Sequence, residues 1–315
     1  MTLYIPFICI ALGCVINWRG LPERVLNIIN FIMNSALMLL MAVVGLNVGT
    51  SKEVLNNIGT IGLNCAIMCL GSVFCAVLLM VLLEKTIVPL DEIRLKLLEE
   101  KGLVLKSVPE GKGVDPLMIC MPLAILLGLL LGIYVCPDIS EHTLDVLLSI
   151  SLIFLYTGAG VSLATNKVAF LYIKKLGLRI LLLPLAIFVG GLISGFIMHL
   201  ILGVDLCWSV TASSTMGYYS LPGAFMTEAY GVEAGIYGFM VNIFRDICTV
   251  TLMPILKKIS KGSPIASGAG GCMDSMFIPV TRAVGPELGI AGLIVGTIIT
   301  IFVPFWLPIS KMIVG

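Results

Sequence analysis

The sequence predicts an all-α integral membrane protein of about eight transmembrane helices and two re-entrant hairpins, built from inverted repeats. Three observations lead there. Hydrophobic residues make up 59% of the chain and charged residues 12%, with a mean hydropathy of +1.11, far from the composition of a soluble domain. The stretch from Ala212 to Ile259 is echoed by Ala266 to Ile313 at a constant offset of 54. Basic residues crowd into alternate connections between apolar runs, as the positive-inside rule describes.

Apolar runs long enough to cross, roughly 17 to 25 residues, fall near Leu3–Ile16, Ile28–Val48, Ile58–Leu83, Leu117–Val135, Thr143–Leu163, Gly177–Leu202, Ala234–Leu256 and Leu288–Ile309. The first is short and begins at the membrane surface. It lacks the basic start and small-residue cleavage site of a signal peptide, so it reads as a span. Two further segments, Cys207–Tyr230 and Pro264–Val284, are apolar but broken by Gly, Ser and Pro. Irregular backbone at membrane depth survives only where protein or a water-filled cavity satisfies it.

Arg19 and Arg24, then Lys85 to Lys112, then Lys167, Lys174 and Lys175 mark the cytoplasmic connections and put the N-terminus outside. Were Cys207–Tyr230 to cross fully, Lys257, Lys258 and Lys261 would lie outside. As a re-entrant hairpin entered from outside, it leaves those lysines in the cytoplasm. Pro264–Val284 is then a second hairpin, entered from the cytoplasm, and the C-terminus is outside.

The duplication is dense. Thr227, Gly231, Glu233, Gly235, Pro254 and Lys257 recur as Thr281, Gly285, Glu287, Gly289, Pro308 and Lys311. Paired, interrupted apolar segments of this kind point to a transporter's binding site near the bilayer midplane. A fainter repeat at offset 115 relates Gly45, Thr50, Lys52 and Gly62 to Gly160, Thr165, Lys167 and Gly177. The expected organisation is a three-helix scaffold repeat (1–85), a cytoplasmic connector (86–116), an inverted scaffold repeat (117–203), and a transport core. The core is made of hairpin plus helix (204–259) and its inverted copy (260–315). This order resembles the glutamate-transporter architecture, an elevator type, with opposite sidedness and in topology alone. Within the connector, Ile93, Leu97 and Leu98 share one face, which predicts an amphipathic surface helix over Asp91–Lys101 in a solvated link.

Net charge is +1, which offers nothing to nucleic acid, and the ten cysteines are scattered without CxxC or Cys/His spacing. They read as small apolar filler, so neither cofactor nor metal is expected. His142 and His199 stand alone, and no nucleophile–base pair suggests an enzyme.

Ionisable groups at membrane depth cost on the order of 2.5–3.5 kcal/mol each, so those retained are candidate transport residues. Asn242, Arg245 and Asp246 lie mid-way along the Ala234–Leu256 span, Asn242 and Asp246 on one face. Arg245–Asp246 reads either as a structural pair, with Arg245 neutralising Glu228, or as a wall that seeks a carboxylate and an ammonium. Met216 to Gly223 forms the first hairpin tip. There Gly217 permits a tight backbone, while Tyr218, Tyr219 and Ser220 either line the site or pack the tip. Helix N–H groups starting there can take a carboxylate. In the matching tip, Gly271, Asp274 and Ser275 stand together, Asp274 in the place of Ser220, as a helix cap, a cation ligand or both. Glu233, Glu287 and Arg282 read as caps and anchors at the hairpin ends, and Gly45, Gly49, Gly158 and Gly160 as close helix packing.

Gly217-Tyr-Tyr-Ser-Leu, Thr227-Glu228, Arg245-Asp246 with Pro254 behind, and Gly271-Cys-Met-Asp274 together resemble the lysine exporter LysO family, from about Leu117 to the C-terminus. The resemblance implies export of L-lysine and its toxic analogues across the bacterial inner membrane, using intramembrane acids. On it, Asp246 and Glu228 match the acidic sites of the second half. A further acid is expected at the end of the second span. There this chain has Lys52-Glu53, so either Glu53 substitutes or that role is lost. The partners implied are L-lysine or a similar cationic amino acid, protons and the lipid bilayer, with homo-oligomer formation left open. Another amino acid or organic ion, a sodium-coupled carrier and a channel are the rival readings.

Overall fold

The computed structural model describes residues 5–18, 20–50, 52–99, 116–135, 141–165, 177–273 and 275–314. Among them the regular structure is entirely helical: α1 (Ile5–Ile16), α2 (Glu23–Thr50), α3 (Lys52–Thr86), α4 (Leu90–Glu99), α5 (Pro116–Tyr134), α6 (Glu141–Thr165), α7 (Leu182–Leu202), α8 (Leu206–Ser214), α9 (Ser220–Tyr230), α10 (Val232–Ile259), α11 (Ser263–Gly268), α12 (Phe277–Val284) and α13 (Pro286–Val314). Among the described residues five stretches are long and apolar enough to cross a membrane: Arg24–Val43, Gly59–Thr86, Leu178–Leu202, Val232–Ile259 and Pro286–Val314. The other expected spans are helical too, as α1, α5 and α6, with shorter apolar cores.

The leading helices pair by backbone contact. A Cβ on Gly13 would strike the Thr157 carbonyl, and one on Gly160 the Ile10 carbonyl, so α1 and α6 touch through their glycines. Gly45 and Gly49 on α2 meet Ile125, Leu129 and Gly132 on α5, while Gly128 meets Ala42. Gly13 and Gly128 are themselves 115 residues apart, as are Gly45 and Gly160. The first helix of each copy thus packs on the second helix of the other, and the third helices, α3 and α7, pack on each other. Small residues let helices approach this closely where apolar burial gives little drive for association.

Beyond Leu202 the chain makes two helix–turn–helix hairpins. The open end of the first lies by the end of the chain: Cys207 Sγ donates to the Val314 carbonyl and Lys311 lies over the Tyr230 ring, 5.7 Å from its centroid. The open end of the second lies against α4, where Lys261 pairs with Asp91, and Arg94 with Glu287 at 3.8 Å. Helices α10 and α13 run in opposite senses between these ends, and the two hairpin tips meet between them. Within the connector, α4 forms the amphipathic surface helix expected there, docked by its apolar face; residues 100–115 lie outside the described residues. Leu90 and Ile93 are buried, and Glu84 accepts from the Gly262 N–H. The ion pairs with the base of the second hairpin hold it there.

The offset-54 repeat is realised at the hairpin–helix junctions. Gly231 and Gly285 both end hairpin helices with positive φ (97° and 92°), donating to the carbonyls of Thr227 and Thr281. Only glycine takes that conformation without steric cost. A Cβ on Gly235 would overlap the Thr227 hydroxyl, and one on Gly289 the Thr281 hydroxyl. Gly235→Ala is expected to destabilise the protein by about 1–3 kcal/mol through overpacking, and Thr227→Ala in the same chain to restore most of the loss. Thermal unfolding in detergent checks this; a Gly235→Ala variant as stable as the parent would contradict the packing.

Candidate functional site

The site is the place where the hairpin tips touch. In the first tip, Met216 and Gly217 both take positive φ (55° and 86°), which a bulky residue such as Met adopts only under constraint. Two contacts supply it. The Met216 carbonyl accepts from the Gly270 N–H of the second tip at 2.8 Å, and the Gly217 N–H donates to Asn242 Oδ1 at 2.8 Å. Asn242 Nδ2 donates to the carbonyls of Ala212 (3.1 Å) and Gly238 (2.9 Å) and to the Thr215 hydroxyl (2.8 Å). Its amide is committed to shaping the tip.

Arg245 does the corresponding work for the second hairpin. Its Nε donates to the Ser267 carbonyl at 2.9 Å and its Nη2 to the Ala266 carbonyl at 2.8 Å. Nη1 reaches Ser72 Oγ on α3 at 3.4 Å. The guanidinium thus serves the C-terminal carbonyls of α11, where helices leave acceptors unsatisfied and favour a cation. Its hydrogen bonds go to these carbonyls and to Ser72, where the sequence offered Glu228 as a partner, because the short α11 ends beside it. Thr249 donates to the Arg245 carbonyl at 2.7 Å and lies 2.7 Å from Ser267 Oγ, adding a hydroxyl pair to the same seam.

Asp246, one residue on, is buried, and its Oδ2 accepts from Ser275 Oγ at 2.8 Å. A Cβ on Gly271 would come within 3.0 Å of Asp246 Oδ1 and 3.1 Å of Ser275 Oγ, so the missing side chain lets the second tip's backbone reach the carboxylate. Six of the sequence-derived candidates, Gly217, Asn242, Arg245, Asp246, Gly271 and Ser275, converge here. Ser220 is buried at the start of α9. Tyr218 and Tyr219 are half-buried, Tyr219 edge-on to Phe239 at 6.1 Å. Glu228 sits further along α9, within electrostatic reach of Tyr156. Asp274 lies outside the described residues, as do the side chains of Lys52 and Glu53.

Three contributors escaped the sequence reading. Ser72 and Ser267 touch Arg245, and Tyr156 is fully buried beside Glu228. The only signal for Ser72 and Tyr156 is a polar atom in the middle of an apolar helix. Among the described residues no cluster of His, Cys, Asp and Glu could hold a metal.

The family model described as Lysine exporter LysO matches residues 122–310, which contain both hairpin tips, Asn242, Arg245 and Asp246 but not Ser72. Lysine exporter LysO of Escherichia coli is 28% identical over 167 residues, 53% of this chain and 53% of that protein. The chain therefore matches about half the length of that relative. A Haemophilus influenzae protein named "Putative lysine exporter" is 25% identical over 170 residues, 52% of this chain and 83% of its own. No solved structure matches the chain.

Arg245→Lys keeps the charge but loses the fork that serves two carbonyls. We expect it to destabilise the protein by about 1.5–3 kcal/mol, seen as a lower unfolding temperature without any ligand. Unchanged stability would mean that the guanidinium is not what holds the second hairpin.

Proposed function

The chain belongs to the lysine exporter LysO family, a family of transporters and not of enzymes, and from that membership we propose that it carries L-lysine and close analogues out of the bacterial cytoplasm in exchange for protons. The observation that carries this reading is the buried carboxylate of Asp246, held by Ser275 where two hairpin tips touch. A carboxylate at membrane depth is costly to keep. A titratable group that alternates between a proton and a substrate ammonium is a reason to keep one.

In the proposed arrangement eight helices cross the inner membrane with both termini outside. The hairpins dip in from opposite faces, and an elevator-like movement exposes the site alternately. The segments 204–259 and 260–315 form the moving core. The backbone contacts of Gly191 and Gly195 on α7 with Ser214 and Val210 on α8 support counting α7, and its partner α3, with that core. Asp246 and Glu228 take the proton or the ammonium, with Asp274 as a further acid on the second tip. Ser220 and the first N–H groups of α9 receive the carboxylate, since a helix N-terminus favours an anion. Tyr218 and Tyr219 offer ring faces to the cation. Asn242 and Arg245 hold the tips in position, and Gly217 and Gly271 keep them thin.

The coupling follows from electrostatics. Expelling one net positive charge against 100 mV, inside negative, costs about 2.3 kcal/mol. Uncoupled exit would then need a gradient of roughly fiftyfold. Exchange for more than one proton per lysine makes export electrically favourable.

Proteoliposomes loaded with labelled lysine test the proposal. Efflux is expected to rise when a proton gradient directed inward is imposed, to ignore a sodium gradient, and to fall to the protein-free rate in Asp246→Asn. Efflux indifferent to protons would remove the antiport, and full efflux by Asp246→Asn would remove the carboxylate. Competition by arginine and ornithine, and none by a dicarboxylate, is expected in the same vesicles.

A further inference from the structure

Tyr156 has no role in the scheme above, yet its environment is unusual. It sits on α6 and is 0% exposed, and among the described residues its hydroxyl has no hydrogen-bond partner. Buried hydroxyls are almost always satisfied, so one without a protein partner calls for a reason. Helix α6 packs on α9 of the first hairpin. There Tyr156 lies within electrostatic reach of the Glu228 carboxyl, the Tyr218 phenol and the weakly polar Cys9 thiol. Glu228 Oε1 is shielded from solvent as well.

The chemistry of this group of side chains is selective. A phenol oxygen can accept a hydrogen bond, a carboxylate accepts and balances charge, and a second aromatic residue stands beside them. A primary ammonium has three N–H donors and one positive charge, which is the complement of that set. A neutral amide or an anion is not.

We propose that Tyr156 is a substrate-contacting residue: its hydroxyl oxygen accepts one N–H of a primary ammonium whose charge Glu228 balances. This rests on the reading of the chain as an exporter of a cationic amino acid. It adds that the ligand is held from two sides. Tyr156 belongs to the glycine-paired helices α1, α2, α5 and α6, whereas Glu228 belongs to the hairpin. Among the described residues these two groups of helices come close at few points, chiefly where α6 and α2 meet α9. A bound ammonium therefore bridges the boundary across which an elevator would slide.

Calorimetric titration of the purified full chain with lysine, together with thermal unfolding in the absence of lysine, tests this on the wild type and on Tyr156→Phe. The phenylalanine variant is expected to bind lysine roughly ten- to hundredfold more weakly, the range for a hydrogen bond to a charged group. Its unfolding temperature without lysine should be unchanged or higher, because an unpartnered buried hydroxyl has been removed. Undiminished binding by the variant, with binding intact in the wild type, overturns the contact and leaves the exporter reading standing. A variant that unfolds earlier or fails to fold assigns the hydroxyl a structural role and overturns it too. A wild type that binds no lysine overturns the exporter reading and this contact with it.

Discussion

Two chain breaks inside an apolar bundle create a problem of hydrogen-bond satisfaction, and the rest of the core is arranged around its solution. A backbone N–H or C=O left unpaired away from water costs several kcal/mol in a hydrocarbon setting. The tips answer by satisfying each other, Gly270 N–H to Met216 carbonyl, and by recruiting side chains from α10. Asn242 and Arg245 lie three residues apart on that helix, so one turn faces the first tip and then the second. Between them they hold a left-handed turn on one side and the carbonyl end of a half-helix on the other. Asp246 follows directly, which places the carboxylate at the seam.

The internal symmetry shows why the charged side chains at the seam lie on α10 and not on α13. Asn242 corresponds to Gly296, 54 residues on. Gly296 has no side chain to offer. A Cβ there would strike the backbone of Cys272 and Met273, so the second tip lies directly on its helix. The first tip is held off by the width of an amide, and the second is pressed close. Arg245 and Asp246 correspond to Ile299 and Thr300, so of the two long helices only α10 brings charge to the seam. A symmetric pair of tips would have duplicated the charge and placed two guanidinium groups in one buried space. Divergence at these few positions preserves the fold while building a single site.

Much of this was legible in the residues. The offset of 54 located both hairpins, since Gly231 and Gly285 end their helices and Thr227 and Thr281 fill the notches of Gly235 and Gly289. The fainter offset of 115 related Gly45 to Gly160, but that the first helix of each copy packs on the second helix of the other came only with the structure. Spacing along one helix placed Asn242 and Asp246 on a common face. Their partners were another matter. That Arg245 would turn to Ser267 and Ala266 depends on where α11 stops, and helix ends are the least determined feature of a sequence. Tyr156 reads as one more aromatic in an apolar run until the fold lays α6 against α9. The docking of α4 was hidden because its apolar contribution is small, Leu90 and Ile93, and because its ion-pair partners lie about 170 and 190 residues away.

The character of the contacts divides the molecule more sharply than the order of the chain does. Where glycines meet carbonyls, as between α1 and α6 or α2 and α5, neighbours are locked at backbone distance and cannot slide without losing the fit. The same holds for α7 on α8, through Gly191 and Gly195, and for α7 on α3, where Gly190 meets Ala76. By contrast, the four glycine-paired helices approach the hairpins at few points among the described residues. A boundary of that kind can shift at low cost, because few interdigitated contacts must be given up at once. The acids lie on the hairpin side of the boundary and Tyr156 on the other. A cation held between them would couple its own arrival to the relative position of the two groups of helices, which is the requirement for alternating access: the ligand must bind one arrangement better than another to move the equilibrium between them.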